Sequence, residues 1–318
     1  MALKKREFGR SGLSVSPLCL GGNVFGWTSD EATSFRLLDA FTDAGLEFID
    51  TADVYSAWVP GHVGGESETV IGNWLKKSGK RDRVVLATKV GIVEKGGVSL
   101  KKQHILNSVD KSLKRLQTDV IDVYWAHRDD LETPLEESLS AFSSLIAAGK
   151  VRAIGASNYS GARLREALSV SSQLGLARYE GLQPHYNLVK RKDYEIDLEP
   201  VALAAGLAVT PYFSLAMGFL TGKYHTEADL GKSARGGGVK QFLTPQGLSV
   251  LAQLEEIAKE RHSKPGAVAI AWLAARKSIT APIASATNSE QLADLVQAAQ
   301  LELKAGEIAR LDAASEGL

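Results

Sequence analysis

Eight short apolar runs, each followed by a longer stretch with helical spacing, constrain this 318-residue chain more than any other feature. Side chains alternate faces along a strand and return to one face every three or four residues along a helix. On that basis strands are expected over 17–21, 46–49, 83–88, 120–126, 151–156, 179–183, 207–211 and 280–284. Helices are expected between them, beginning with 30–44, where Asp30 is placed to cap the start and Gly45 to stop the end. Strand-then-helix alternation is the pattern of α/β proteins with parallel strands. A doubly wound sheet shares that local pattern. Eight units without a linker-like shift in composition instead favour a single (β/α)8 TIM barrel over residues 1–318. A short hairpin turning at Arg10-Ser11-Gly12 precedes it, and extra helices over 245–261, 265–276 and 305–314 accompany its C-terminal part. Residues 222–241 break the pattern: rich in glycine, carrying Lys223, Lys232, Arg235 and Lys240, they are expected to form an irregular functional loop.

Three consecutive runs end in polar groups. Leu46, Phe48 and Asp50 share a face under the two-residue period, so a row of core-directed side chains ends in an acid. A buried carboxylate is costly without a cation, and the next run, 84–88, delivers Lys89. The fourth run, 120–126, delivers His127. Tyr55 follows Asp50 by five residues. Active sites of the barrel fold gather at the carboxyl ends of several strands, and neighbouring parallel strands lie only ~4.8 Å apart. These four groups are therefore expected to converge.

Composition excludes several roles. Formal net charge is zero, so no global basic field exists to hold a nucleic-acid backbone or an anionic membrane. The opening Met1-Ala2-Leu3-Lys4-Lys5-Arg6-Glu7-Phe8 lacks the apolar core of a secretory signal, and no run approaches the ~18 apolar residues of a membrane span. One cysteine, Cys19, leaves no internal disulfide and makes a reducing compartment, the cytoplasm, the expected location. The sequon Asn158-Tyr159-Ser160 has no purpose without export.

A cation within ~4 to 6 Å favours the charged form of a neighbour by about 1 to 3 pKa units. Lys89 beside Tyr55 would thus let the phenol give a proton to a developing alkoxide and recover it. His127 would hydrogen-bond the same oxygen and stabilise its charge. Moving a proton on and off a carbonyl oxygen while its carbon changes oxidation state is the work of hydride transfer, for which the carrier comes from outside the chain. Each residue alone has a plainer role: Asp50 and Lys89 a structural ion pair, Tyr55 a pocket rim, His127 a strand-end cap. Their joint placement argues against all four at once.

Phe48-Ile49-Asp50-Thr51-Ala52-Asp53-Val54-Tyr55, Ala87-Thr88-Lys89 and Ala126-His127-Arg128 resemble the signature regions of the aldo-keto reductases. Ala156-Ser157-Asn158, Gln183-Pro184-His185-Tyr186-Asn187 and Leu220-Thr221-Gly222-Lys223-Tyr224 follow in register, and the chain resembles the bacterial members of the branch that includes the potassium-channel beta subunits. The resemblance implies a (β/α)8 barrel and a tetrad of Asp50, Tyr55, Lys89 and His127. It also implies NADPH-dependent interconversion of small carbonyl compounds and alcohols, by a monomer or homo-oligomer. Tyr55 would be the general acid, tuned by Lys89 and Asp50, with His127 positioning the carbonyl.

By the same resemblance Asp50, Ser157, Asn158 and Gln183 lie at the nicotinamide, with Tyr212 stacked on its ring. Ser214, Leu215 and Met217 approach the pyrophosphate, with positive charge from Lys223 and Arg235. Gly22 and Asn23 lie at the nicotinamide ribose, and Ser285, Thr287 and Gln291 at the adenosine end. Plainer alternatives are a helix cap for Ser157-Asn158 and a solvated charge for Lys223. The chain has no G-x-G-x-x-G and no G-x-x-x-x-G-K-[ST], so a dinucleotide must bind without those glycines. Gly155-Ala156-Ser157-Asn158-Tyr159 misses the hydrolase elbow G-x-S-x-G at its last position.

Two departures from the family stand out. Phe213-Ser214 occupies the place of a common Ser-Pro, which weakens one pyrophosphate contact. Asn288 and Gln291 stand where relatives often place Arg or Lys for a 2′-phosphate, so NADH is a second possible cofactor. Phe25, Trp27, Trp58, Val59 and Trp125 are expected to wall a pocket for an aromatic or extended carbonyl compound. Two other functions use the same residues: a nucleotide-sensing regulatory subunit with little turnover, and an aldolase-type barrel with Lys89 as Schiff-base lysine.

Overall fold

The computed structural model describes residues 3–93 and 96–318. Met1 and Ala2, part of the segment read as lacking a signal, lie outside them. Two short strands, β1 (Arg6–Glu7) and β2 (Ser14–Val15), form the expected antiparallel hairpin. Eight parallel strands follow: β3 (Cys19–Gly21), β4 (Phe48–Asp50), β5 (Val85–Val90), β6 (Ile121–Ala126), β7 (Val151–Ser157), β8 (Tyr179–Gln183), β9 (Ala208–Val209) and β10 (Ile283–Ala284). Their spatial order is β10-β3-β4-β5-β6-β7-β8-β9. The two ends of this sheet meet, because Thr280 N donates to Val209 O at 2.8 Å and Ile283 N to Pro211 O at 2.9 Å. That seam makes a closed (β/α)8 barrel rather than an open doubly wound sheet.

The intervening helices are α1 (Glu31–Asp43), α2 (Glu66–Ser78), α3 (Lys102–Leu116), α4 (Leu135–Ala147), α5 (Gly161–Leu174) and α6 (Glu199–Ala205). After β9 come α7 (Gly236–Val239), α8 (Pro245–Glu260) and α9 (Pro265–Ala275), then α10 (Ser289–Ala298) and α11 (Ala305–Ala314) after β10. Asp30 caps α1 as expected, its side chain accepting from Thr33 N. Among the described residues no helix is long and apolar enough to cross a membrane.

Two cores result, one between sheet and helices and one inside the barrel. The inner one joins Cys19, Phe48, Ala87, Val123, Trp125 and Ala153 with Phe8 and Val15 of the hairpin, which plugs the amino-terminal end. Phe8 meets Phe48 and Trp125 edge-on, with ring centroids 6.0 and 5.8 Å apart. Trp125 fills so much of the interior that its neighbours must be bare. A Cβ on Gly155 would lie 2.2 Å from its indole, and one on Gly181 2.8 Å. Trp125 is therefore a core residue below the mouth, not a wall of a substrate pocket, and Phe25 is likewise fully buried. Leu46 corrects a second expectation: it precedes β4 and packs in the outer core with Ile49 instead of sharing the inner row.

The last two strands are shorter than their apolar runs, because Pro211 and Pro282 flank them and lack the amide a ladder needs. Residues 222–241 are also more ordered than their composition implies. A 3₁₀ helix (Glu227–Lys232) starts at a Thr226–Asp229 capping box, and α7 follows it. These are one- and two-turn pieces, too short to leave a periodic signature.

Candidate active site

β4, β5 and β6 bring their terminal side chains to one end of the barrel. Asp50 pairs in register with Ala87, which places Lys89 two residues nearer the mouth on the same face. The Lys89 ammonium has three hydrogens and three acceptors: the Asp50 carboxylate, Thr51 O at 2.8 Å and Tyr55 Oη at 2.8 Å. Lys89 and Asp50 are 0% and 2% exposed. Removal from water pushes the Asp50 carboxyl up, while Lys89 pulls it back. Lys89 itself is raised despite its burial, because Asp50 and Tyr55 favour the ammonium.

The turn after β4 fixes Tyr55. Thr51 N donates to Ala87 O at 2.9 Å, Tyr55 N to Ala52 O at 3.2 Å, and Ser56 adopts a left-handed φ of 73°. The phenol departs from the sequence-based expectation. Burial raises it above the ordinary tyrosine value, and the opposing pull of Lys89 does not overcome this. His127 is pushed well below its ordinary value by burial, Lys89 and Arg128, so its ring is neutral. Its centroid lies 6.1 Å from that of Tyr55, and its Nδ1 is buried without a partner.

A second polar line leaves Asp50 in the other direction. Gln183 Nε2 donates to its free oxygen at 3.1 Å, Ser157 Oγ to Gln183 O at 2.9 Å, and Asn158 Nδ2 to Ser157 Oγ at 3.1 Å. Tyr212 Oη completes the line by donating to Asn158 Oδ1 at 2.7 Å. Asn158 holds φ 57°, a left-handed conformation that asparagine tolerates. The ring of Tyr212 stacks on His185, centroids 5.2 Å apart and planes 24° apart.

The remaining sequence-selected residues line the same end. Ser285 Oγ donates to Asn23 Oδ1 at 2.6 Å, and Gly22 O accepts from Ser67 Oγ at 2.7 Å. Thr287 donates from its amide and hydroxyl to Gln291 Oε1, while Asn288 caps α10. Ser214 Oγ is engaged with Pro211 O at 3.1 Å, and Leu215 and Met217 pack against the outer core. Phe213, Ala216, Met217 and Gly218 all have left-handed φ, a tightly coiled backbone on the barrel rim. Lys223 lies over the Tyr224 ring at 5.2 Å. Arg235 reaches from the segment before α7 to the face of Trp27, 5.6 Å away, and its Nη2 is buried without a partner. Trp27 and Trp58 meet edge-on at 5.5 Å, and Trp58 meets Tyr55 at 6.0 Å, forming an aromatic wall beside the phenol.

Sequence reasoning gave no role to Thr51, whose carbonyl takes the third Lys89 hydrogen, and no side-chain signal marks such a carbonyl. It also passed over Asp53. Burial and the neighbouring Glu68 push the Asp53 carboxyl up to about 7, and its Oδ1 has no partner. Glu68 is itself satisfied by Thr88 and Arg115.

One end of the closed barrel thus gathers an acid, a lysine, a phenol and a neutral histidine, and in barrel enzymes that end of the strands is where the active site forms. The aldo/keto reductase family model matches residues 17–316. The uncharacterized oxidoreductase YrpG of Bacillus subtilis (strain 168) is 37% identical over 308 residues, covering 93% of this chain and 90% of that protein. A probable voltage-gated potassium channel subunit beta of Oryza sativa subsp. japonica is 33% identical, with 93% and 91% covered. Aldo-keto reductase YhdN of Bacillus subtilis (strain 168) is 35% identical, with 83% and 77% covered. The chain belongs to the aldo/keto reductase family, and it is an oxidoreductase of that family.

Proposed function

We propose that the protein reduces aldehydes or ketones to alcohols with NADPH, and runs the reverse reaction, with Tyr55 as the general acid and base. The observation that carries this is the saturated ammonium of Lys89. All three of its hydrogens are committed, so the Tyr55 oxygen accepts and its own proton is left to point elsewhere. Tyr55 gives that proton to a carbonyl oxygen, and Lys89 stabilises the phenolate left behind. A phenol held above its ordinary value is protonated at neutral pH, the state an acid needs. His127, neutral and with Nδ1 unpaired, has one ring N–H to donate to the same oxygen. Neutrality also leaves Tyr55 as the proton donor.

The residues present fit a dinucleotide. Arg235 carries a buried, unpartnered Nη2, a cationic donor fitted to a phosphate oxygen. Asp50, Ser157, Asn158, Gln183 and Tyr212 would hold the nicotinamide, and Gly22 and Asn23 its ribose. Ser214, Leu215, Met217, Lys223 and Arg235 would hold the pyrophosphate, and Ser285, Thr287 and Gln291 the adenosine. When bound, the reduced nicotinamide supplies the hydride that the carbonyl carbon takes. The aromatic wall of Trp27 and Trp58 supports an aromatic or extended substrate. One buried cysteine, Cys19, supports a cytoplasmic location.

A second reading, a nucleotide-sensing subunit with little turnover, is favoured by the relative named as a potassium channel subunit beta. Oxidation of NADPH and of NADH, measured separately with a panel of aldehydes, ketones, sugars and quinones, decides between them. Steady turnover with NADPH is the expected result. Tight nucleotide binding without turnover of any panel member supports the sensor.

A further inference from the structure

Arg128 follows His127 at the end of β6, and it is exposed. Its root is fixed: His127 N donates to Val90 O at 2.8 Å, and His127 O accepts from Asn158 Nδ2 at 2.8 Å. Tyr212 Oη bonds the same Asn158 side chain. The guanidinium therefore starts from a peptide tied both to His127, the group that would hydrogen-bond the carbonyl oxygen, and to the Tyr212 line.

The acids that would ordinarily neutralise it are taken. Asp129 pairs with Arg163 at 3.1 Å. Asp130 turns inward and accepts from Leu100 N, Glu132 N and Thr133 Oγ1. Asp50 is closed off by Lys89 and Gln183. Among the described residues no carboxylate lies within ion-pair distance of Arg128. Its charge is felt by both His127 and Tyr212. The strand end that carries His127 thus also carries an exposed planar cation without an ion-pair partner among the described residues, suited to a carboxylate.

We propose that Arg128 selects the substrate, favouring aldehydes and ketones that carry a carboxylate a short reach from the carbonyl. This rests on the carbonyl-reductase reading of the same site. Arg128 binds the carboxylate and leaves Tyr55 and His127 free to act on the carbonyl oxygen. No bond to Arg128 forms or breaks.

The test compares 4-carboxybenzaldehyde and 2-carboxybenzaldehyde with their uncharged methyl esters, using the wild-type protein and Arg128→Gln. Arg128 is exposed and unpaired, so the substitution leaves the fold intact. The wild type is expected to prefer at least one acid over its ester, and added salt to shrink that preference. In Arg128→Gln, kcat/KM for the preferred acid falls about tenfold while the ester changes by less than about twofold. The dissociation constant for NADPH, read from its fluorescence, stays as in the wild type. An equal fall for acid and ester, an unchanged ratio, or a loss confined to NADPH binding overturns the assignment. Turnover of the esters without any acid preference overturns this inference alone. Failure of every aldehyde in both proteins overturns the reductase reading with it.

Discussion

Lys89 donates to Tyr55 across 2.8 Å while its other two hydrogens are held by Asp50 and by the Thr51 carbonyl, so the lysine fixes which way the phenol's proton points. An ion pair this deeply buried is costly to break from one side only. Lys89→Met leaves the Asp50 charge buried without its cation and is expected to destabilise the protein by about 3 to 5 kcal/mol. The double variant Lys89→Met, Asp50→Asn removes both charges and is expected to be more stable than Lys89→Met alone. Urea unfolding of the wild type, Lys89→Met, Asp50→Asn and the double variant checks this. A double variant whose loss equals the sum of the single losses contradicts the pairing.

Asp53 makes the fold's stability depend on pH near neutrality. Its unfolded value is ~3.9, whereas in the folded protein burial and Glu68 hold it at about 7. A carboxyl raised on folding contributes fully below its unfolded pKa, and that contribution is lost as pH climbs to the folded one. Asp53→Asn has no such group. Its urea midpoint relative to wild type is expected to rise between pH 5 and pH 8, by an amount worth at most about 3 kcal/mol. A difference that stays constant across that range would show that Asp53 ionises normally.

Gly155 is bare because Trp125 occupies the space a Cβ would need, 2.2 Å from the ring. Gly155→Ala is expected to cost about 1 to 3 kcal/mol through overpacking. Part of this should return in the double variant with Trp125→Leu, since contacting residues couple. Gly237→Ala, with nothing within 4 Å of the new methyl, serves as the neutral control. Equal losses at the two glycines in a thermal melt would mean that the indole does not fill the barrel.

The barrel and its mouth were largely legible in the sequence because both rest on short-range regularities. Apolar runs end in Asp50, Lys89 and His127, and parallel neighbours carry those ends together without any long-range guess. Side chains facing inward on the barrel were harder to read. Trp125 is followed by His127 on the same face and looks like a pocket residue, but its surroundings depend on glycines in β7 and β8, far along the chain. The direction in which Tyr55 shifts was also out of reach. A nearby cation is visible in sequence order, whereas the burial that outweighs it is a property of the packed turn.

The replacement Tyr55→Phe, which removes one oxygen and leaves the ring among Trp58 and His127, bears most directly on the assigned chemistry. NADPH oxidation with an aldehyde that the wild type reduces should fall by about 10²- to 10⁴-fold, the usual contribution of a positioned acid. NADPH binding, followed by fluorescence on the same sample, should remain close to wild type. If Tyr55→Phe keeps most of the wild-type rate, the phenol is not the proton donor.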